Sequence, residues 1–339
     1  MSLMKKYIFF LFYLVISLTT YYLIPTTAYA LSWDHLSSST GDLPTPNGGS
    51  QQTASLILDI DKDGDNDFVI AERSKEPSVV WFERTGNGWS KHIIDNTKLA
   101  IEAGGDYHDI DRDGDLDISF AGDYRSNEVW WWENPHPNAG STWTRRNIKS
   151  SGSNKHHDQV FGDFDGDGEV ELVFWNQGGK KLYLAEIPSN PKSTSPWTLA
   201  EIYTPPSGSY EGLAKADIDA DGKVDIVGAG LWFKHNGGTN YTAHAVSSRG
   251  FSRSAAGQLV PGGFAEIVIS SGDNNGPLEW FEYNGSNWVS HALVSTVDHG
   301  HSLHLADFNG DGLLDIFNAE MRLDSGNSDA KTWVFINGG

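Results

Sequence analysis

The sequence predicts an all-β fold, a closed β-propeller of six four-stranded blades, with seven blades as the alternative count. Three observations predict it: an acidic stripe D-x-D-x-D-G-x-x-D that occurs five times, a repeat length of about 50 residues, and a fixed order of short strands after each stripe.

The stripes are Asp59-Asp61-Asp63-Asp67, Asp109-Asp111-Asp113-Asp117, Asp163-Asp165-Asp167-Glu171, Asp217-Asp219-Asp221-Asp225 and Asp307-Asn309-Asp311-Asp315. Carboxylates at positions 1, 3 and 5 converge because the following glycine lets the chain turn sharply. A backbone carbonyl fills position 7 and the acid at position 9 closes the shell, which makes an oxygen cage for calcium. First acids lie 50, 54 and 54 residues apart; a degenerate copy starts at Gln258, 41 residues further on and 49 before Asp307. Six repeats result, five of them expected to bind calcium. The degenerate turn Gln258-Leu259-Val260-Pro261-Gly262-Gly263 offers one side-chain oxygen where the others offer three, too few for a calcium shell.

After each stripe comes an apolar strand (Phe68-Val69-Ile70 in the first repeat, Leu172-Val173-Phe174 in the third), then an aromatic one (Val80-Trp81-Phe82, Val129-Trp130-Trp131-Trp132). A fourth strand opens at Trp89, Trp143, Trp197, Tyr241 or Trp288 in the first five repeats. The sixth repeat ends after its third strand. Its fourth is expected from Ser32-Trp33-Asp34-His35, which resembles Trp89-Ser90-Lys91-His92, so that an N-terminal strand closes the ring and leaves no open edge. Most of the 13 Trp and 16 Phe are expected to pack between blades.

Residues 1–30 read as a signal peptide: Lys5 and Lys6, an apolar run from Tyr7 to Ile24, and the small-x-small pattern Ala28-Tyr29-Ala30. Residues 31–339 form the single propeller domain, secreted or at the cell surface, with no stable membrane span once the leader is cleaved; an uncleaved anchor is the alternative. The net charge of −21 becomes −23 when Lys5 and Lys6 leave with the leader. Five calcium ions would return roughly ten charges. With the excess acid concentrated in the stripes, the chain carries no basic patch for nucleic acid. There are no cysteines, so no disulfide braces this exported fold and calcium is expected to do so.

The stripes, strand order and leader together resemble the calcium-binding propeller repeats called FG-GAP or VCBS, over essentially the whole chain after the leader. The resemblance implies fold and calcium; for function it implies adhesion modules, sugar-binding domains and enzyme bodies alike. The elements His108 to Asp111 and Glu133 to Pro135 further resemble the propeller of aldos-2-ulose dehydratase, a metal-dependent enzyme of sugar derivatives whose cupin domains have no counterpart here.

In a propeller the first strand of each blade runs along the central channel. Six residues before each first acid stand Thr53, Ala103, His157, Glu211, Ser252 and His301. Two histidines and a glutamate in one register converge on the axis, a donor set suited to zinc or manganese with coordination positions left open. Around them the candidate catalytic residues are Tyr107, His108, Tyr210, Arg253 and His304. Loops after the second strands add a polar rim that includes Glu72, Arg73, Asp123, Tyr124, Arg125, Trp175, Gln177, Asp273 and Glu320. By contrast His35, His92, His244 and His291 fall on outer strands and read as surface residues. No Ser-His-Asp, cysteine-nucleophile or phosphate-loop signature is present. Two function classes remain: a sugar lyase or dehydratase acting on a polysaccharide or sugar derivative, and a calcium-stabilised glycan-binding or adhesion propeller.

Overall fold

A computed structural model describes residues 33–206, 210–322 and 329–339. The expected leader lies outside the described residues. Among them there is no helix, so none is long and apolar enough to cross a membrane. Six antiparallel sheets follow one another in sequence: residues 52–95, 101–149, 156–203, 214–245, 253–298 and 300–335. Their first strands pack side by side in chain order around the axis, and the six blades form a ring.

Register is the same in every blade. The stripe is the hairpin turn between first and second strands, and its ninth residue pairs with the residue just before its first. The ladders end on Leu58–Asp67, His108–Asp117, Gly162–Glu171, Ala216–Asp225, Gly257–Glu266 and Ala306–Asp315. The sixth-position glycines Gly64, Gly114, Gly168, Gly222 and Gly312 adopt φ values of 84 to 95°, which a side chain would resist. The stripes therefore occupy one face, and the starts of the first strands open on the other.

The core is divided among blade interfaces. One cluster joins Leu56, Val69 and Trp81 of blade one to Phe120, Trp130 and Trp132 of blade two, and four more repeat the arrangement up to blades five and six. Trp81, Trp130, Trp131, Trp132 and Trp175 are fully buried, as the packing expectation required. Each such interface removes several large apolar side chains from water, at about 1.5–3 kcal/mol apiece.

One expectation fails. The sixth sheet has three strands among the described residues, and Trp33 to His35 lie in no strand. Trp33 is 63% exposed, so burial does not tether this segment to the edge of Thr332–Phe335. Ser32 lies outside the described residues.

Asn134, in the Glu133–Pro135 element, clamps two blades together. Its amide donates to the carbonyls of Ile60 in blade one (3.0 Å) and Leu116 (3.2 Å), and its Oδ1 accepts from the His136 backbone (3.1 Å). Asn337 does the same for Leu259 (2.7 Å) and Leu314 (3.3 Å) between blades six and five. Asn134→Ala would strand the Ile60 carbonyl, costing about 1–3 kcal/mol. Thermal unfolding should fall by a few degrees; an unchanged melting curve would refute the clamp.

Candidate functional site

Each stripe turn is built from its own backbone. The first acid accepts loop N–H groups, as Asp59 does from Asp63 and Gly64 (both 3.1 Å). The fifth-position acid folds onto the residue two ahead: Asp63 on Asp65 (2.8 Å), Asp167 on Glu169 (2.8 Å), Asp311 on Leu313 (2.9 Å). The groups whose oxygens come within 4.8 Å of one another are therefore positions 1, 3 and 9: Asp59-Asp61-Asp67, Asp109-Asp111-Asp117, Asp163-Asp165-Glu171 and Asp217-Asp219-Asp225. Asp63, Asp113, Asp167 and Asp221, expected in the shell, stand outside these groups because they serve the turn. In the last stripe Asn309 replaces the central acid and donates to Asp311 at 2.8 Å.

Position 9 does more than the sequence shows. Asp67 accepts from the backbones of Ile60 (3.1 Å) and Arg84 (2.8 Å), Asp117 from Ile110 (3.0 Å) and Asn134 (2.8 Å), and Asp315 from Phe308 (2.9 Å) and Asn337 (2.8 Å). Glu266 of the degenerate repeat has the same role with Leu259 (2.7 Å) and Val260 (2.9 Å), although the other acids of the stripe are absent there. Burial, with neighbouring acids adding to it, pushes Asp67 up to about 6 and Asp117 and Glu171 up to about 8. Asp109 Oδ1, Glu171 Oε1 and Asp219 Oδ1 are buried without a hydrogen-bond partner. Such crowded, desolvated carboxylates fit a hard cation. In two loops a lysine stands there: Lys192 against Asp111 (2.7 Å) and Glu133 (2.8 Å), and Lys234 against Asp219 and Asp221.

On the opposite face the structure brings His157, Glu211 and His301 together, with one potential ligand atom from each within 4.8 Å of the others. Three different blades supply them. His157 Nε2 lies 3.5 Å from Glu211 Oε1, the two imidazole centroids are 6.2 Å apart, and Glu211 Oε2 is buried without a partner. Asp158 takes the Nδ1 proton of His157 at 2.7 Å and fixes its tautomer, while the Gly212 N–H holds the same carboxylate oxygen at 2.7 Å. Arg253 pairs with Asp158 and donates to His301 at 2.7 Å; Asp273 lies 3.1 Å from His301 Nε2. Gln177 reaches Glu211 at 3.2 Å.

Three carboxylates thus face one guanidinium at the channel mouth, Glu211 buried, Asp158 nearly so and Asp273 exposed. Burial disfavours charge on both imidazoles. For His157 the carboxylates of Asp158 and Glu211 outweigh it and the pKa is raised; for His301 Arg253 adds to it and the pKa is lowered. Asp158 is held far below the usual carboxylate range, Arg253 and His157 overcoming its burial, and hydrogen bonding to His301 lowers Asp273 to about 2.

The other candidates divide. Arg253 belongs to the cluster. Tyr210 instead packs on Trp175, with centroids 5.5 Å apart, because the apolar interface of blades three and four claims its ring. Tyr107 and His108 stand two and one residues before their stripe, where His157 stands six before its own; at about 3.3 Å per residue they lie more than 10 Å deeper along the strand. His304, three residues beyond His301, is displaced in the same direction. His156 turns away, donating Nδ1 to the Gly122 carbonyl at 2.8 Å. Of the rim, Gln177 and Asp273 join the cluster, Glu72 ties down its own loop (Ser74 N–H, 2.7 Å), and Trp175 is buried. Sequence reasoning missed the Asp158–Arg253 pair; its only local sign is an acid next to the register histidine.

Of the outer histidines, His35 and His244 are exposed as expected and His92 and His291 are half-buried. His92, His244 and His291 stack on Trp81, Trp232 and Trp280 at 4.6, 4.8 and 4.0 Å, and His92 also bonds Glu83 at 2.7 Å.

The sequence matches the FG-GAP-like repeat at residues 109–174, 163–228 and 263–317, just over half of the chain. The chain belongs to the FG-GAP-like repeat family. Curated protein sequences contain no match to it. Among solved structures this FG-GAP-like propeller is similar to a putative 6-phosphogluconolactonase of Bacteroides fragilis (13% identity over 84% of this chain and 83% of that one, TM-score 0.51). It is also similar to the exotype rhamnogalacturonan lyase YesX (15%, 85% and 56%, 0.47) and to the V. cholerae biofilm matrix protein Bap1 (13%, 85% and 39%, 0.43). The chain thus spans 56% and 39% of those two proteins. At such identities the likeness concerns the fold alone.

Proposed function

We propose that this propeller is a secreted, calcium-stabilised carbohydrate-active enzyme of the β-elimination class, a lyase or dehydratase, with its site at the channel mouth. The observation that carries the reading is the convergence of His157, Glu211 and His301. Two imidazoles and a carboxylate would hold zinc or manganese and leave room for substrate. Such an ion supplies a Lewis acid that makes the hydrogen beside a carboxylate or carbonyl easier to remove.

The surrounding residues prepare that site. Asp158 orients His157 through Nδ1 so that Nε2 faces Glu211, and the excess of carboxylates over guanidinium favours a dication. Arg253, buried and already bonded to Asp158 and His301, holds those two side chains in place. The acidic turns would hold calcium through positions 1, 3 and 9, leaving the rigid ring to keep the mouth in shape.

Metal analysis of the purified protein tests the reading. Anomalous scattering should place calcium in the five stripe turns, none beside Gln258, and one zinc or manganese at His157. The loaded protein should release unsaturated sugar from a uronate polysaccharide. Absence of any transition metal from the mouth would overturn it.

A further inference from the structure

We infer that the cleft between the outer edges of blades four and five is a second ligand site, taking one neutral pyranose unit of a glycan. It is separate from the channel mouth: its walls come from the third and fourth strands of blade four, the outer turn of blade five and the degenerate stripe turn, with no residue from a first strand. Its volume is about 310 Å³, at the small end of ligand pockets, which limits the occupant to a single ring.

The lining is an aromatic corner. Phe264 and Trp288 stand edge-on to Trp232, at 5.9 Å and 74° and at 6.1 Å and 81°, and Tyr283 stacks on Phe264 at 4.6 Å. Lys234 and His244 lie along one side, His244 stacked on the buried Trp232 at 4.8 Å, so the half-buried Phe264, Tyr283 and Trp288 are the rings that meet a ligand. A pyranose has an apolar C–H face and a rim of hydroxyls, and this combination of ring planes with a few donors matches it. Lys234 is already paired with Asp219 and Asp221, so its charge is answered inside the protein and the cleft does not demand an anion.

The cleft lies beside the one repeat that lacks the stripe acids. Phe264 occupies position 7 of the degenerate stripe, where the other repeats carry Asp65, Asp115, Glu169, Lys223 and Leu313. An aromatic ring there, beside Trp232 of the preceding blade, is specific to this one interface. Loss of cation ligands and gain of an aromatic wall fall in the same turn.

Saturation-transfer NMR with methyl α-D-glucopyranoside, methyl α-D-galactopyranoside and methyl α-D-mannopyranoside tests the site. At least one should give signal that Trp288→Ala and Phe264→Asp each reduce tenfold or more. Phe264→Asp restores the residue type of the first stripe, so the turn is expected to fold, with an unchanged melting temperature as the check. His157→Gln should leave the signal intact. No signal from any of the three sugars, or signal that survives both cleft variants, would overturn the assignment without bearing on the proposed metal at the mouth, whereas signal lost in His157→Gln would overturn it by moving the sugar to the mouth.

Discussion

Chelating calcium from the purified protein is expected to lower its melting temperature by roughly 4–28 °C. Sites of extracellular type, with dissociation constants of about 0.1–1 mM in millimolar calcium, contribute about 0.4–1.4 kcal/mol each. Five such sites sum to roughly 2–7 kcal/mol, and each kcal/mol moves the midpoint of a domain this large by about 2–4 °C. The physical cause lies in the turns: three carboxylates within 4.8 Å of one another, one of them buried, repel unless a cation stands between them. The turns that Lys192 and Lys234 enter already hold a positive group, so those around Asp61 and Asp165 should lose most.

Asp165→Ala separates metal from turn. In calcium it should cost about 1–2 kcal/mol, the share of one site plus its 3.0 Å bond to the Asp167 backbone. In chelator only the bond remains, and the gap between variant and parent should narrow. A melting temperature indifferent to chelation, or an equal gap in both conditions, would exclude a stabilising ion.

Much of this architecture is legible in the chain because its signals are local. Stripe, turn glycine and alternating strand lie within some twenty residues of each other, and repetition averages away the noise of any single copy. The register count also placed His157, Glu211 and His301 on one face, since six residues back from each stripe is the same depth in every blade. What was not legible depends on side chains crossing between blades. Arg253 meets Asp158 across 95 residues of sequence, and nothing near either announces the partner. Position 9 looked like one more ligand, although its backbone bonds at the foot of each hairpin make it equally a staple, as Glu266 shows in the turn that lost its other acids. Tyr210 stood beside Glu211 in sequence, yet its ring packs on Trp175 at the blade interface. The edge of Thr332–Phe335 misled in another way: likeness of Trp33-Asp34-His35 to outer strands is a matter of residue type, and residue type does not tether an exposed segment.

His157→Gln is expected to remove the transition metal from the channel mouth and to reduce elimination activity at least a hundredfold, with the calcium-dependent melting temperature nearly intact. His157 is buried, but its bonds run to Asp158 and Glu211 rather than to any stripe, and glutamine fills most of the same space. Loss of a ligand is a larger change than loss of its support, for which a tenfold to hundredfold fall in affinity is usual. Asp158→Asn supplies that lesser case. It keeps the shape while removing the charge that orients His157 and pairs with Arg253, so metal affinity should fall by about 10–100-fold. The two variants order the outcomes: a graded loss, glutamine beyond asparagine, follows if His157 ligates and Asp158 positions. Equal stoichiometry of zinc or manganese in parent and His157→Gln would show that the cluster is a buried ion-pair network holding three blades together, and unfolding of both variants with metal content unchanged would lead to the same conclusion.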